Sequence, residues 1–111
     1  MVRWSGDIVI DVTKLRDYCL SRAHPRGRHK ARVFQARLGL SAADAERLRV
    51  ALLEAARLYD AELMPSATDE YGDRYTLEST ITGPSGSAVV KSTWIVLAGQ
   101  RVLRLVTCYV V

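Results

Sequence analysis

The sequence predicts an α+β protein in which N-terminal helices precede an antiparallel sheet of three to four strands. Apolar residues recur at helical spacing from about residue 12 to residue 60. A period of two then takes over from about residue 74 to residue 111, broken by two turns. Helices and strands are therefore segregated along the chain, which argues against a parallel doubly wound sheet. At 111 residues the chain can bury one core but not two, so a single domain over 1–111 is expected.

Ile8-Val9-Ile10 reads as a first strand or as an extended lead-in. Asp11 or Thr13 can cap a helix reaching about Leu20, with Leu15 and Cys19 one turn apart on its inner face. Pro25 suits a first helical turn and drives His24 into an extended conformation, so the backbone turns sharply there. Gly27 predicts a loose entry to the next helix. That helix is expected from Arg28 to Leu38, burying Ala31, Phe34 and Leu38, with Gly39 closing it in the left-handed conformation.

Ser41 opens the most regular helix, aided by the Asp44 charge in its first turn. Leu48, Leu52, Ala55 and Tyr59 form its inner stripe, while Arg47, Arg49 and Glu54 face solvent. Met64-Pro65-Ser66-Ala67 breaks the pattern. A further strand is expected near Glu62 or Asp69. Tyr75, Leu77, Ser79 and Ile81 share one face of a strand, with Arg74, Thr76, Glu78 and Thr80 on the other. Turns at Gly83-Pro84-Ser85-Gly86 and Ala98-Gly99-Gln100 separate it from strands over 87–97 and 102–111, giving a three-stranded meander.

A hydrophobic content of 49% and a charged content of 25% exclude a wholly disordered chain. No apolar run approaches the roughly 20 residues of a membrane span, so no membrane association is expected. The leading MVRWSGDIVIDV carries an acid within its apolar stretch and has no small-residue cleavage site, unlike a signal peptide. With Cys19 and Cys108 the only cysteines, both expected as small buried hydrophobes, a reducing cytoplasm is the expected location. The start at Met1 and the lack of a secretion module predict a free-standing protein.

The net charge of +4 is unevenly placed. Arg22, Arg26, Arg28, Lys30, Arg32 and Arg37 fall in one segment with His24 and His29, and no acid occurs between Asp17 and Asp44. A block of one sign concentrates phosphates and other anions, so RNA or an acidic protein is the expected partner. The same charges on a solvated helix face would also serve solubility alone.

Metal and cofactor chemistry is not expected. His24 and His29 are five residues apart, which separates them on any helix, and no Cys or acid cluster completes a ligand set. A phosphate loop, a hydrolase triad and a nucleophile elbow are equally missing from the sequence. What remains is a metal-free set suited to phosphodiester cleavage in RNA: histidine for proton transfer, Lys or Arg for charge on the phosphorane, and strand hydroxyls.

The string His24-Pro25-x-Gly27-x-x-Lys30-Ala31-x-x-Phe34, followed by Leu38-Gly39, resembles an uncharacterised family of bacterial domains with an HPxGxxKAxxF signature. Thr93-Trp94-Ile95-Val96 and Leu105-Val106-Thr107-x-Tyr109 carry a second, weaker resemblance. Both are similar to C-terminal toxin domains of contact-dependent and polymorphic toxin systems, of the barnase, EndoU, colicin and RelE type of ribonuclease fold. By position, the resemblance implies His24, Lys30, Thr107 and Tyr109 as catalytic residues. Arg26, Arg28, His29 and Arg32 are expected to hold phosphate or RNA. The function expected is a metal-independent toxin-type RNA endonuclease working by 2′-OH attack, with an acidic inhibitor as a second partner. The alternatives are a non-catalytic nucleic-acid-binding module and an antitoxin or immunity-type interaction domain.

Overall fold

The structure, a computed structural model, describes residue 4 and residues 6–111; the other leading residues of MVRWSG lie outside these. Strand β1 (Asp7–Val9) comes first. It is followed by a short α1 (Val12–Lys14) that widens into a π-helical turn, Leu15–Cys19. Then come α2 (Arg28–Leu38) and α3 (Ala45–Leu58). The chain finishes with β2 (Met64–Asp69), β3 (Gly72–Gly83), β4 (Gly86–Leu97) and β5 (Val102–Val110).

Local chemistry explains the helix ends. Asp11 caps α1, its Oδ1 accepting from the Thr13 amide at 3.0 Å and the Thr13 hydroxyl at 2.7 Å. Gly39 ends α2 at φ 73°, where the left-handed conformation lets its amide and that of Leu40 return to the Gln35 and Phe34 carbonyls. Ahead of α3, the Ser41 amide donates to Asp44 Oδ2 at 2.9 Å, which orients the 3₁₀ turn Ala42–Asp44 that leads into the helix. Leu15, Cys19, Ala31, Phe34, Leu38, Leu48, Leu52 and Ala55 are all buried, as their spacing predicts.

The sheet is mixed and five-stranded, in the order β1-β5-β4-β3-β2. This corrects the expected helix-first order and the all-antiparallel sheet of three to four strands. β1 precedes the helices and pairs in parallel with β5, Ile8 opposite Leu103. Three residues are too few to declare a period, and their partner lies near the other end of the chain. β2 occupies the opposite edge, and all of its residues are exposed. The Pro65 that interrupts the helical pattern is compatible with an edge strand, where a missing amide costs no ladder bond, and the β2–β3 register shifts between Pro65 and Ala67. Tyr59 is a second correction: it is 46% exposed. α3 ends one residue earlier and turns into a 3₁₀ segment, Asp60–Glu62, so the inner stripe closes with Ala55 and Ala56 instead.

The helices cover one sheet face. Leu77, Ser79 and Ile81 of β3, Ala88, Val90, Ser92 and Trp94 of β4, and Leu103, Leu105 and Cys108 of β5 are buried on it. Within this layer the Trp94 indole N–H donates to Ser92 Oγ at 2.9 Å, and that hydroxyl donates to the Leu77 carbonyl at 3.2 Å. A buried indole is thereby satisfied without water. Cross-strand register aligns Thr76, Thr93 and Thr107 in one row and Glu78, Lys91 and Tyr109 in the next.

Candidate functional site

β5 is irregular where the candidate residues lie. Trp94 pairs with Leu105 and Thr93 with Thr107, so Val106 is an extra residue, a bulge. The bulge resets the alternation: Leu105 and Cys108 are buried, whereas Val106, Thr107 and Tyr109 are half-buried. Thr93 Oγ1 donates to the Thr107 carbonyl at 3.3 Å and supports the strand beyond the bulge.

The first helical segment packs along this part of β5. Lys14 Nζ donates to the Leu105 carbonyl at 3.3 Å. Cys19 Sγ lies 3.7 Å from Thr107 Oγ1. The two cysteines, far apart in sequence and both buried, are neighbours here. Hydrogen bonding from the Cys108 thiol, joined by Thr107 and by the Lys30 charge, outweighs burial and lowers the Cys19 thiol to about 6. The Cys108 thiol is pushed up, by Cys19 and by burial. Between helix and strand opens a cleft of about 400 Å³ lined by Lys14, Tyr18, Val106 and Thr107.

His24 reaches this cleft through Tyr18. Its ring stands edge-on to the Tyr18 ring, with centroids 4.6 Å apart. His24 Nδ1 accepts the Arg26 amide at 3.1 Å and the Gly27 amide at 3.2 Å. That clasp commits Nδ1 as an acceptor, so in the neutral ring the proton belongs on Nε2. Gly27 is part of the same joint. It is buried in an ordinary right-handed conformation, and a Cβ there would collide with the Tyr18 carbonyl oxygen. The glycine that predicts a loose entry is in fact required by close contact between two backbone segments.

Lys30 lies at the edge of the buried α2 stripe, four residues before Phe34, and so faces β5. Its Nζ is 4.9 Å from the Tyr109 ring centroid, a cation–π contact. Lys30, Tyr109, Thr107 and, through Tyr18, His24 thus all border one region of the α1–β5–α2 junction. Arg26, Arg28, His29 and Arg32 are exposed around the start of α2, and among the described residues none of them forms an ion pair. Arg32 also borders a shallow hollow of about 280 Å³ with Arg22, Gln35 and Ala36, where Arg22 donates to Gln35 Oε1 at 3.1 Å. Lys14, Tyr18 and Cys19 belong to the site but carry no motif that singles them out. Among the described residues, no three of His, Cys, Asp and Glu are grouped to hold a metal, and no helix is long and apolar enough to cross a membrane.

Fold and cleft together define a small mixed α/β domain whose basic helix and irregular strand share one concave junction. The chain belongs to a family described as a domain of unknown function, DUF6883, whose model matches residues 5–111. Its fold is similar to that of a chain in a contact-dependent growth inhibition toxin–immunity protein complex from Klebsiella pneumoniae 342. The TM-score is 0.72 at 24% identity, over 93% of this chain and 99% of that one. No curated protein matches the chain significantly.

Proposed function

We propose that this protein is a metal-independent RNA endonuclease of bacterial toxin type, acting by attack of the 2′-OH on the adjacent phosphorus. The observation that carries this reading is the convergence of His24, Lys30, Thr107 and Tyr109, from three separate segments, at one junction beside a cleft. The HPxGxxKAxxF resemblance and the fold likeness to a chain of a toxin–immunity complex support the toxin context.

The hydrogen-bonding pattern supports a division of roles. With Nδ1 committed to backbone amides, His24 acts through Nε2–H as a donor to the phosphorane oxygens. Lys30 adds positive charge and protonates the departing 5′-oxygen, while water takes the 2′-OH proton as that oxygen attacks phosphorus and returns a proton to Lys30. Its cation–π contact holds the ammonium near the Tyr109 ring, and the Thr107 and Tyr109 hydroxyls orient ribose and phosphate. Arg26, Arg28, His29 and Arg32 track the flanking backbone as solvent-exposed charges. Purified protein incubated with total RNA in EDTA should leave 2′,3′-cyclic phosphate ends. Intact RNA after such incubation refutes the enzyme reading.

The fold likeness to a chain of a toxin–immunity complex also supports a second reading, a protein-interaction domain whose cationic α2 face meets an acidic partner. In the enzyme reading the same partner is an inhibitor covering that face. Growth of a bacterial host separates them. A toxin slows growth on expression and an acidic partner relieves it, whereas an interaction or immunity domain is harmless alone.

A further inference from the structure

Of the residues that line the cleft, only Thr107 has a role in the proposed cleavage. The cleft walls come from two places where this fold departs from regular geometry. Tyr18 comes from the π-helical turn, and Val106 is the bulged residue of β5. π-turns and bulges both re-aim side chains and are frequent at functional sites. Together they present an aromatic ring and an aliphatic side chain across about 400 Å³, with Thr107 and Lys14 completing the lining. That volume lies within the range of pockets that hold small ligands.

We propose that this cleft binds one nucleobase of an RNA strand, stacked on Tyr18 against Val106, with Thr107 at the ribose of that nucleotide and Lys14 on the adjoining phosphate. The proposal rests on the ribonuclease reading for its substrate and deepens it: the cleft holds the base beside the scissile phosphate. Three features favour a nucleotide as occupant. A flat π system matches the gap between an aromatic and a branched aliphatic side chain, and stacking on an aromatic platform tolerates any base. The Tyr18 hydroxyl has no hydrogen-bond partner among the described residues, and Lys14 spends one of its three donors on the Leu105 carbonyl, so polar groups remain for the ligand. The segment that follows, from Arg22 to Arg37, is cationic without an acid, so a ligand joining an aromatic base to phosphate matches cleft and surroundings at once. His24, edge-on to Tyr18, couples the base site to the phosphate site.

The test is titration of the intact protein with each of the four nucleoside 3′-monophosphates, followed by methyl NMR of Val106 and by calorimetry. At least one nucleotide should shift the Val106 methyls. Tyr18→Leu should weaken its binding about 10-fold or more, the loss expected for one stacked base, while Tyr18→Phe keeps it. In RNA cleavage, Tyr18→Leu should raise KM, and Tyr18→Phe should keep it near the wild-type value. If the wild type cleaves no RNA but nucleotides shift Val106 in a Tyr18-dependent way, the ribonuclease reading fails and the base site stands. Nucleotides that perturb only the Arg26–Arg32 surface, or that bind Tyr18→Leu as well as wild type, overturn the base site even if cleavage is real. Should Tyr18→Leu fail to fold, the Val106 shifts in wild type and in Tyr18→Phe still decide the matter.

Discussion

Replacing Gly27 by alanine tests the joint on which the site depends. Gly27 has φ −90° and ψ −15°, a conformation that alanine adopts freely. With open space around it, the substitution would stabilise the protein by about 0.4–1 kcal/mol by restricting the unfolded chain. The space is not open. The added Cβ would be in hard collision with the Tyr18 carbonyl oxygen and 3.1 Å from its carbon, both backbone atoms that cannot swing aside. Forcing a methyl into packed backbone typically costs about 1–3 kcal/mol, which outweighs the entropic gain. If the Gly27 and Arg26 amides also leave His24 Nδ1, two hydrogen bonds of about 0.5–1.5 kcal/mol each are lost as well. The expected net destabilisation is therefore about 1–2 kcal/mol with the clasp intact and about 3 kcal/mol or more without it. Urea unfolding monitored by tryptophan fluorescence measures this, with an unchanged m-value as evidence that the change lies in stability. Gly99→Ala is the reference. Nothing lies within 4 Å of its Cβ, but its φ of +78° should cost alanine about 1 kcal/mol through conformation alone. A Gly27→Ala protein as stable as wild type would show that α1 and α2 are not locked at this point, and the site geometry built on that lock would fall with it.

Other expectations follow from the same geometry. Ser92→Ala should cost about 1–3 kcal/mol in urea unfolding, because it strands the buried Trp94 indole N–H; equal stability would mean that water or another acceptor replaces the hydroxyl. Cys19 has a folded value of about 6, below its unfolded value near 9.0, so its ionised form contributes stability that is fully present above the unfolded value and lost as pH falls through about 6. Cys108 is shifted upward, which takes stability away once pH passes the ordinary thiol range. The urea midpoint of wild type relative to Cys19→Ala should thus climb from about pH 6 to about pH 9; a flat difference contradicts the thiolate. His24→Ala and Lys30→Ala should each lower RNA cleavage by about 10²-fold or more, whereas Arg37→Ala, on the same helix but outside the junction, stays near wild type. Equal losses in all three would assign the effect to general charge. RNA affinity should fall steeply with salt, because the exposed cations of α2 release counterions from phosphate.

Much of the fold is legible in the sequence because it is local. Ala31, Phe34 and Leu38, or Leu48, Leu52 and Ala55, recur at helical spacing whatever they pack against, and Leu77, Ser79 and Ile81 alternate whatever strand lies beside them. Gly39 and the Asp11 cap are equally local, since their partners are within a few residues. Lys30, Thr107 and Tyr109 can be listed as candidates from a motif, but their mutual arrangement cannot. It depends on α2 lying along β5, with Lys30 at the rim of the buried stripe.

Tertiary structure decided the rest. β1 is three residues long and gains its ladder only from β5, at the far end of the chain. β2 has no buried face to impose alternation, so its strand is specified by β3 and not by its own pattern. Gly27, which reads as slack, is tightness toward a carbonyl nine residues earlier, and the two cysteines become neighbours only when helix and strand meet. The cleft arises from a π-turn facing a bulge, two one-residue departures from regular spacing that no periodicity can register. Local propensity sets which segments are helix or strand, but contacts distant in sequence are chosen by shape and hydrogen bonding in the assembled core, and the site is made of those contacts.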